Sequence, residues 1–208
     1  YNVAVGFQAG HLMTTGTANT IIGGLAGDAI NSGGNNVLLG YDAGGSLTTG
    51  NENVAIGAYA LKTENAHGFN VAIGYSALEA LDAGANAYNV AIGYKAGEAM
   101  STGIENTIVG GGAGDALTIG NYNTVLGAFA LGLSVDGDYN TALGYKALQD
   151  YEDGDGNGHN TAVGAKSQLN ATTGEFNTSL GSLSMGVGVT TGDYNAALGY
   201  KAGEDLTS

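Results

Sequence analysis

Short apolar stretches recur along the chain at a nearly constant interval, and each lies between an Asn and a Gly. The pattern Asn-[Val/Thr]-x-[Val/Ile/Leu]-Gly occurs twelve times, with Ala196 as the single exception at its second position. Eight of the eleven spacings are 17 residues, and the others are 18, 19 and 20. This periodicity predicts one continuous repeat array over residues 1–208, without a linker or a second domain. The repeats begin at Asn2, Asn19, Asn36, Asn53, Asn70, Asn89, Asn106, Asn123, Asn140, Asn160, Asn177 and Asn195.

Each repeat predicts short strands rather than helices. Counting from the Asn as position 0, the apolar residues at +1 to +3 are rich in β-branched types and are bounded by Asn and Gly, which is typical of a strand. We expect a second short strand within +6 to +12, with turns at +4/+5 and at +13 to +16. A unit of this length is too short for a helix pair. The predicted fold is therefore all-β, a β-solenoid of twelve coils of ~17 residues, stacked at ~4.8 Å into a rod of roughly 55 Å.

Two nearly invariant columns have structural explanations. An Asn at the same place in every coil predicts a hydrogen-bonded ladder between coils. A Gly at +4 in every coil predicts turns with positive φ, or a place where a Cβ would strike the neighbouring backbone. We assign no chemistry to either column. The expected ladder includes Asn53, Asn70, Asn89, Asn106, Asn123 and Asn140, and the expected turn glycines include Gly57, Gly74, Gly93, Gly110, Gly127 and Gly144.

The strand residues also carry a prediction about assembly. Side chains alternate between the two faces of a strand, so +1 and +3 share one face and +2 takes the other. We expect +1 and +3 to fill the thin interior of the coil and +2 to face outward. No charged residue occurs at +2 in any of the twelve copies. An apolar outward column predicts burial against another chain, in a parallel homo-oligomer. The alternative is a wider solenoid with polar side chains hidden elsewhere.

The repeats resemble a known family. Asn53-Val-Ala-Ile-Gly57, and the same five residues from Asn70 and from Asn89, are similar to the head repeats of trimeric autotransporter adhesins, the YadA-like family. The resemblance covers essentially the whole chain and implies a left-handed parallel β-roll, a parallel homotrimer and a role in surface attachment. The coils are longer than is typical of that family. Arrays with a Thr-Gly-x-Tyr-Asn corner, as at residues 191–195, also resemble repeats of bacteriophage tail fibres.

Composition narrows the range of partners. The chain has 19 acidic residues against 5 basic ones and a formal net charge of −14, so it would repel nucleic acid. No apolar run approaches the ~20 residues that cross a bilayer, and we therefore expect no membrane insertion within this segment. There is no Cys and hence no disulfide. Because the chain begins with Tyr1 and not Met, we expect it to be a segment of a longer protein.

The sequence offers little that indicates catalysis. The three histidines lie in separate repeats, and neither a phosphate loop nor a nucleophile elbow occurs. We therefore predict that the protein is not an enzyme. Aromatic residues concentrate at −1 and +5, where ring-on-ring stacking between coils is favoured over stacking on a glycan. Four of the five lysines lie at +6, where solvated surface charge is favoured over a basic strip: Lys95, Lys146, Lys166 and Lys201.

One interruption of the array suggests calcium as a possible cofactor. The 20-residue spacing after Asn140 contains Asp153-x-Asp155-x-Asn157-Gly158, which matches the first half of an oxygen-rich calcium loop. The match is partial, because the twelfth position is Gly164 where such a loop has a bidentate Glu. The alternative is an acidic, glycine-rich surface loop without an ion.

Taken with the resemblance, these patterns predict a structural and adhesive segment of a trimeric surface fibre. Its partners would be further copies of itself and, at the surface, cell-surface glycans or matrix proteins. The expected location is extracellular, on a bacterial cell or a phage particle. A shaft or receptor-binding segment of a bacteriophage tail fibre is one alternative, and a passive filament without a ligand is another. The ligand-binding residues are not identified by the sequence.

Overall fold

The computed structural model describes residues 1–151, 158–186 and 188–206. This part of the chain forms a parallel β-solenoid with one three-residue strand in each coil and no helix. All twelve strands belong to one parallel sheet, in chain order from β1 to β12. The strands are β1 (Val3–Val5), β2 (Thr20–Ile22), β3 (Val37–Leu39), β4 (Val54–Ile56), β5 (Val71–Ile73), β6 (Val90–Ile92), β7 (Thr107–Val109), β8 (Thr124–Leu126), β9 (Thr141–Leu143), β10 (Thr161–Val163), β11 (Thr178–Leu180) and β12 (Ala196–Leu198).

The register of the sheet does not depend on the length of the coil. Across the 19-residue spacing, Val71 still pairs with Val90. Across the 20-residue spacing, Thr141 still pairs with Thr161. The extra residues are therefore accommodated outside the strands, and equivalent positions form straight columns along the rod.

The expected second strand is not present in the described residues, where the segment after the +4 glycine is a series of turns. Positive φ recurs at +6 and +8, for example at Tyr59 (φ 63°) and Leu61 (φ 50°). A left-handed residue breaks an extended strand. The segment nevertheless bonds to the next coil, because the N–H groups of Leu61 and Thr63 donate to the carbonyls of Ala77 at 2.9 Å and Glu79 at 3.1 Å. Among the residues that the structure describes, one isolated parallel bridge lies outside the named strands, between Ala171 and Thr190.

The predicted direction of the strand side chains is wrong. In β3, Leu38 at +2 has no exposed surface, whereas Val37 and Leu39 at +1 and +3 are 38% and 40% exposed. The same order, with +2 buried and its neighbours more exposed, holds in every strand from β2 to β11. The reason is the Asn at position 0, whose side chain is buried inside the coil. Because residues 0 and +2 lie on the same face, +2 follows the Asn inward and +1 and +3 face outward.

The core is a narrow apolar column inside the coils. The inward strand residue, such as Ala55, belongs to the same buried cluster as the Ala at +7 and a larger residue at +8 or +11, such as Ala60, Leu61 and Leu47. Ala or Ser at +7 in every coil, and at +2 in most coils, matches the small cross-section of a coil of this length. Each coil therefore adds one thin layer to a core that continues along the rod.

Within the described residues there is no helix of a length and hydropathy that would cross a membrane.

Candidate functional site

The main candidate site is the outward side of the sheet, formed by +1 and +3 of the twelve strands, which we call the outer sheet face. Position +3 is Val, Ile or Leu in every strand, and position +1 is Val, Thr or, once, Ala. Neither row contains a charged residue. Leu39, Leu126 and Leu180 are 40%, 48% and 48% exposed. The Val, Ile and Leu residues at +3 form an unbroken apolar row along roughly 55 Å, beside the Val and Thr residues at +1. An apolar row of this length is unusual on the surface of a soluble monomer.

The Asn column is a ladder in which the backbone N–H of one Asn donates to the side-chain Oδ1 of the Asn in the preceding coil. The backbone N–H of Asn123 donates to Asn106 Oδ1 at 2.9 Å, and Asn106 Nδ2 donates to the Gly120 carbonyl at 2.8 Å. The N–H of Asn106 in turn donates to Asn89 Oδ1 at 2.9 Å. The same backbone-to-amide bond occurs at the other members of the predicted ladder: Asn53, Asn70, Asn89 and Asn140. These side chains connect coils, and none is directed at a ligand.

The +4 glycines combine two conditions that exclude a side chain. Gly74 has φ +137°, and a Cβ there would lie 2.2 Å from the carbonyl oxygen of Gly93. The corner of one coil thus rests directly on the corner of the next. The same contact recurs at the other predicted turn glycines: Gly57, Gly93, Gly110, Gly127 and Gly144.

Rings at −1 form a continuous stack through the last five coils, and Phe69 and Tyr88 at −1 form a separate stacked pair. Tyr122, Tyr139, His159, Phe176 and Tyr194 lie nearly parallel, with ring centroids 4.7–5.1 Å apart and interplanar angles of 1–9°. A stacked neighbour covers each ring face within the series, so mainly ring edges face solvent. A sugar ring, which stacks on an aromatic face, therefore has little access here. Sequence reasoning missed His159 as a member, although its position directly before Asn160 was the available signal.

A second aromatic cluster, the tyrosine patch, consists of Tyr41, Tyr59, Tyr75 and Tyr94. Tyr59 packs edge-on against Tyr41 and Tyr75 at 5.6 and 5.8 Å, and Tyr75 stacks on Tyr94 at 5.6 Å. Lys62 Nζ lies 5.0 Å from the Tyr59 ring centroid. Tyr41, Tyr75 and Tyr94 are about half exposed, whereas Tyr59 is less exposed. Edge-on packing leaves parts of the ring faces open.

Three of the five lysines form ion pairs with acidic residues. Lys146 Nζ lies instead 6.0 and 5.6 Å from the ring centroids of Phe129 and Tyr145. Lys95 and Lys201 pair with Glu98 and Glu204, three residues further along their own coils, at 3.0 and 2.7 Å. Lys62 reaches Asp42 on the preceding coil at 3.3 Å, and this hydrogen bond is the main cause of the raised pKa of Lys62. Exposed pairs of this kind contribute little to stability, because solvent and salt screen them.

Sequence reasoning also missed a buried carboxylate. Glu64 has no exposed surface although it lies at +11, where most coils carry Met, Ile or Leu. Its Oε1 accepts the backbone N–H groups of residues 65, 66 and 67 at 3.0, 3.3 and 3.0 Å, and its Oε2 accepts that of Ala83 at 3.3 Å. His67 Nδ1 lies 3.1 Å from Glu64 Oε1. The available signal was a break in the repeat, since His67 occupies a position that is Gly in most coils.

The predicted calcium ligands Asp153, Asp155 and Asn157 lie outside the described residues. The adjoining corner of the preceding coil contains Asp138, whose Oδ1 accepts the N–H and the Nδ2 of Asn121 at 2.5 and 3.2 Å. Burial raises the pKa of the Asp138 carboxyl, and these two hydrogen bonds oppose that rise. Burial likewise raises the pKa of Asp115.

Comparisons with protein-family models, with curated proteins and with solved structures give no match to this chain.

Proposed function

We propose that this chain is a structural and adhesive segment of an extracellular trimeric fibre. Three copies, each a left-handed solenoid, lie parallel and pack through their outer sheet faces. The observation that carries the proposal is the pair of uncharged rows at +1 and +3, which are partly or fully exposed in every strand from β2 to β11. Burying apolar surface contributes roughly 25 cal/mol per Å², so a contact repeated in every coil accumulates along the rod.

The order of residues at +1 favours a parallel arrangement. This row is Val from β3 to β6 and Thr from β7 to β11. In a parallel assembly with rotational symmetry, equal coils lie at equal heights, so Val contacts Val and Thr contacts Thr. An antiparallel pair would place the Val-rich half against the hydroxyl groups of the Thr-rich half. Val and Thr are similar in shape but differ in the hydroxyl, which makes that mixture unfavourable.

The remaining faces of the coil would form the exterior of the fibre. They carry the acidic residues, the aromatic stack and the tyrosine patch. The formal charge of −14 on each chain would be tripled in the trimer, which favours solubility and repulsion between neighbouring fibres. In the adhesive role the exterior contacts cell-surface glycans or matrix proteins, and the fibre stands on a bacterial surface.

Two other roles use the same assembly. A shaft or receptor-binding segment of a bacteriophage tail fibre is supported by the Thr-Gly-Asp-Tyr-Asn corner at residues 191–195. A passive filament is supported by the aromatic stack at −1, whose ring faces are covered by one another. Binding of the intact trimer to arrays of matrix proteins and of bacterial surface glycans separates the three roles. Matrix binding supports the adhesin, bacterial glycan binding supports the phage fibre, and no binding supports the filament.

The assembly itself is tested by light scattering on the purified chain. We expect a mass three times the 20.6 kDa of one chain. The double variant Ile92→Asp/Leu126→Asp places charges on the outer sheet face and should dissociate the trimer. Ser46→Asp/Thr63→Asp, at exposed positions away from that face, is the matched control and should stay trimeric. A wild-type chain that is a monodisperse monomer would refute the proposal.

A further inference from the structure

Departures from the repeat concentrate where the coil that begins at Asn53 meets the longer coil that begins at Asn70. Glu64 replaces the usual large apolar residue at +11, and His67 replaces the usual Gly at +14. Asp82 lies at +12 of the next coil, at the start of the corner that makes the spacing to Asn89 19 residues. Three side chains that can bind metal therefore meet at one irregular corner of an otherwise regular rod.

The longer coil explains why Glu64 is tolerated in the core. In regular coils, two or three consecutive N–H groups from +12 onward donate to one carbonyl of the next coil, as residues 31, 32 and 33 do to Thr48 at 2.9–3.3 Å. At the irregular corner the equivalent N–H groups, those of residues 65 to 67, donate to Glu64 Oε1 instead. The backbone thus holds the carboxylate in one orientation. That orientation places Oε1 beside His67 Nδ1.

The geometry of the three side chains suits a small divalent ion. One ligand atom from each of Glu64, His67 and Asp82 lies within 4.8 Å of the others. Glu64 Oε1 and His67 Nδ1 are 3.1 Å apart. Ligands around a tetrahedral ion with bonds of about 2.0–2.1 Å lie roughly 3.3–3.4 Å from one another.

We infer that Glu64, His67 and Asp82 bind a divalent transition-metal ion of the zinc type. The Glu64 carboxylate is buried, the His67 imidazole is half-buried and the Asp82 carboxylate is exposed. The ion is therefore accessible from solvent, and a water molecule completes its fourth coordination position. An imidazole ligand favours zinc-type ions, whereas calcium takes only oxygen ligands. Among the described residues no other group of three or more potential ligands comes together in this way.

Calorimetric titration of zinc chloride into the full chain tests this site. We expect saturable binding of one ion per chain. His67→Gly restores the residue that most coils carry at +14, so it keeps the fold while removing the imidazole. Both His67→Gly and Asp82→Asn should weaken zinc binding by at least about 10-fold, since loss of a ligand costs no less than loss of an outer-shell partner. His11→Gln, at an exposed histidine in another coil, is the matched control and should bind as the wild type does.

Cobalt provides a second readout at the same site. Co²⁺ bound in a tetrahedral site should give visible absorption in the wild type that is lost in His67→Gly. Absence of saturable zinc binding by the wild type would overturn the inference, as would equal affinities of the wild type and His67→Gly. Calcium that displaces zinc at comparable concentration would overturn the assignment to a transition metal.

Discussion

Asn53 and Ala55 lie two residues apart at the start of one coil, and both side chains are completely buried in the same interior. Val54 and Ile56 therefore face outward on either side of Ala55. Within one three-residue strand, the inward residue therefore contributes to the core and the two outward residues form the outer sheet face. Substitutions at +2 act on the folding of a single chain, whereas substitutions at +1 and +3 act on whatever covers the outer sheet face.

Ala72→Asp should prevent folding of the chain. Ala72 has no exposed surface, and an aspartate there would bury a charge without a partner. We expect loss of the circular dichroism signal and of the cooperative thermal transition. Ala72→Ser is the matched control, because Ser179 already occupies the equivalent position of another coil. A folded Ala72→Asp chain that merely dissociates into monomers would contradict the inward direction of +2.

Asn106→Ala should destabilise the rod by removing one member of the Asn ladder. The N–H of Asn123 and the carbonyl of Gly120 would each lose their partner at Asn106. A buried group left unsatisfied costs about 1–3 kcal/mol. Urea unfolding measures the loss. Asn51→Ala, at an exposed Asn that accepts the N–H of Gly34 at 2.8 Å, should cost less because water can replace it. Equal losses in the two variants would contradict a ladder that is stabilised by burial.

Gly74→Ala should be far more destabilising than Gly84→Ala. Both glycines have positive φ, at +137° and +69°. A Cβ at Gly74 would meet the Gly93 carbonyl oxygen at 2.2 Å, whereas a Cβ at Gly84 would meet nothing within 4 Å. Gly84→Ala should therefore cost only the roughly 1–2 kcal/mol of a left-handed alanine. Thermal unfolding of the two variants checks the difference, and similar melting temperatures would mean that the corners do not rest on each other.

The raised pKa of Asp138 predicts a specific pH dependence. Burial raises this pKa above the ordinary value of 3.8, so the folded chain holds the proton more tightly than the unfolded chain. The contribution of Asp138 to stability is then greatest below pH 3.8 and falls as the pH rises through the folded pKa. Asp138→Asn keeps an acceptor for the N–H of Asn121 and removes this decline. Urea unfolding between pH 3 and pH 7 should show a smaller fall in stability with pH for the variant, and identical profiles would exclude the effect.

The sequence alone was sufficient to predict the number of coils, the position of each strand and the Asn and Gly columns, because these depend on residues that recur in every repeat. It could not determine which face of the strand is inward. A triplet such as Val71-Ala72-Ile73 is apolar on both faces, so alternation gives no direction, and only the burial of Asn70 decides it.

The remaining differences arise from contacts between coils. A left-handed Tyr59 or Leu61 is unfavourable in isolation and is supported here by hydrogen bonds to the adjacent coils, which no local pattern records. Likewise, Glu64 is buried where the following coil is longer. There the N–H groups of residues 65 to 67 donate to its carboxylate and not to a carbonyl of the next coil. The proposed metal site could therefore not be predicted from single repeats, because its ligands come from two of them.

The constant strand register also means that the length of the rod depends only on its number of coils. Because Val71 pairs with Val90 as regularly as Val54 pairs with Val71, the sheet advances by one strand for each coil, whatever the number of residues in its corners. Duplicating or deleting a whole coil should change the reach of the fibre in steps of about 4.8 Å. Enlarging a corner should change only the surface side chains of that one coil and not the length of the rod. The length of the rod and the side chains on its surface can thus vary independently in this architecture.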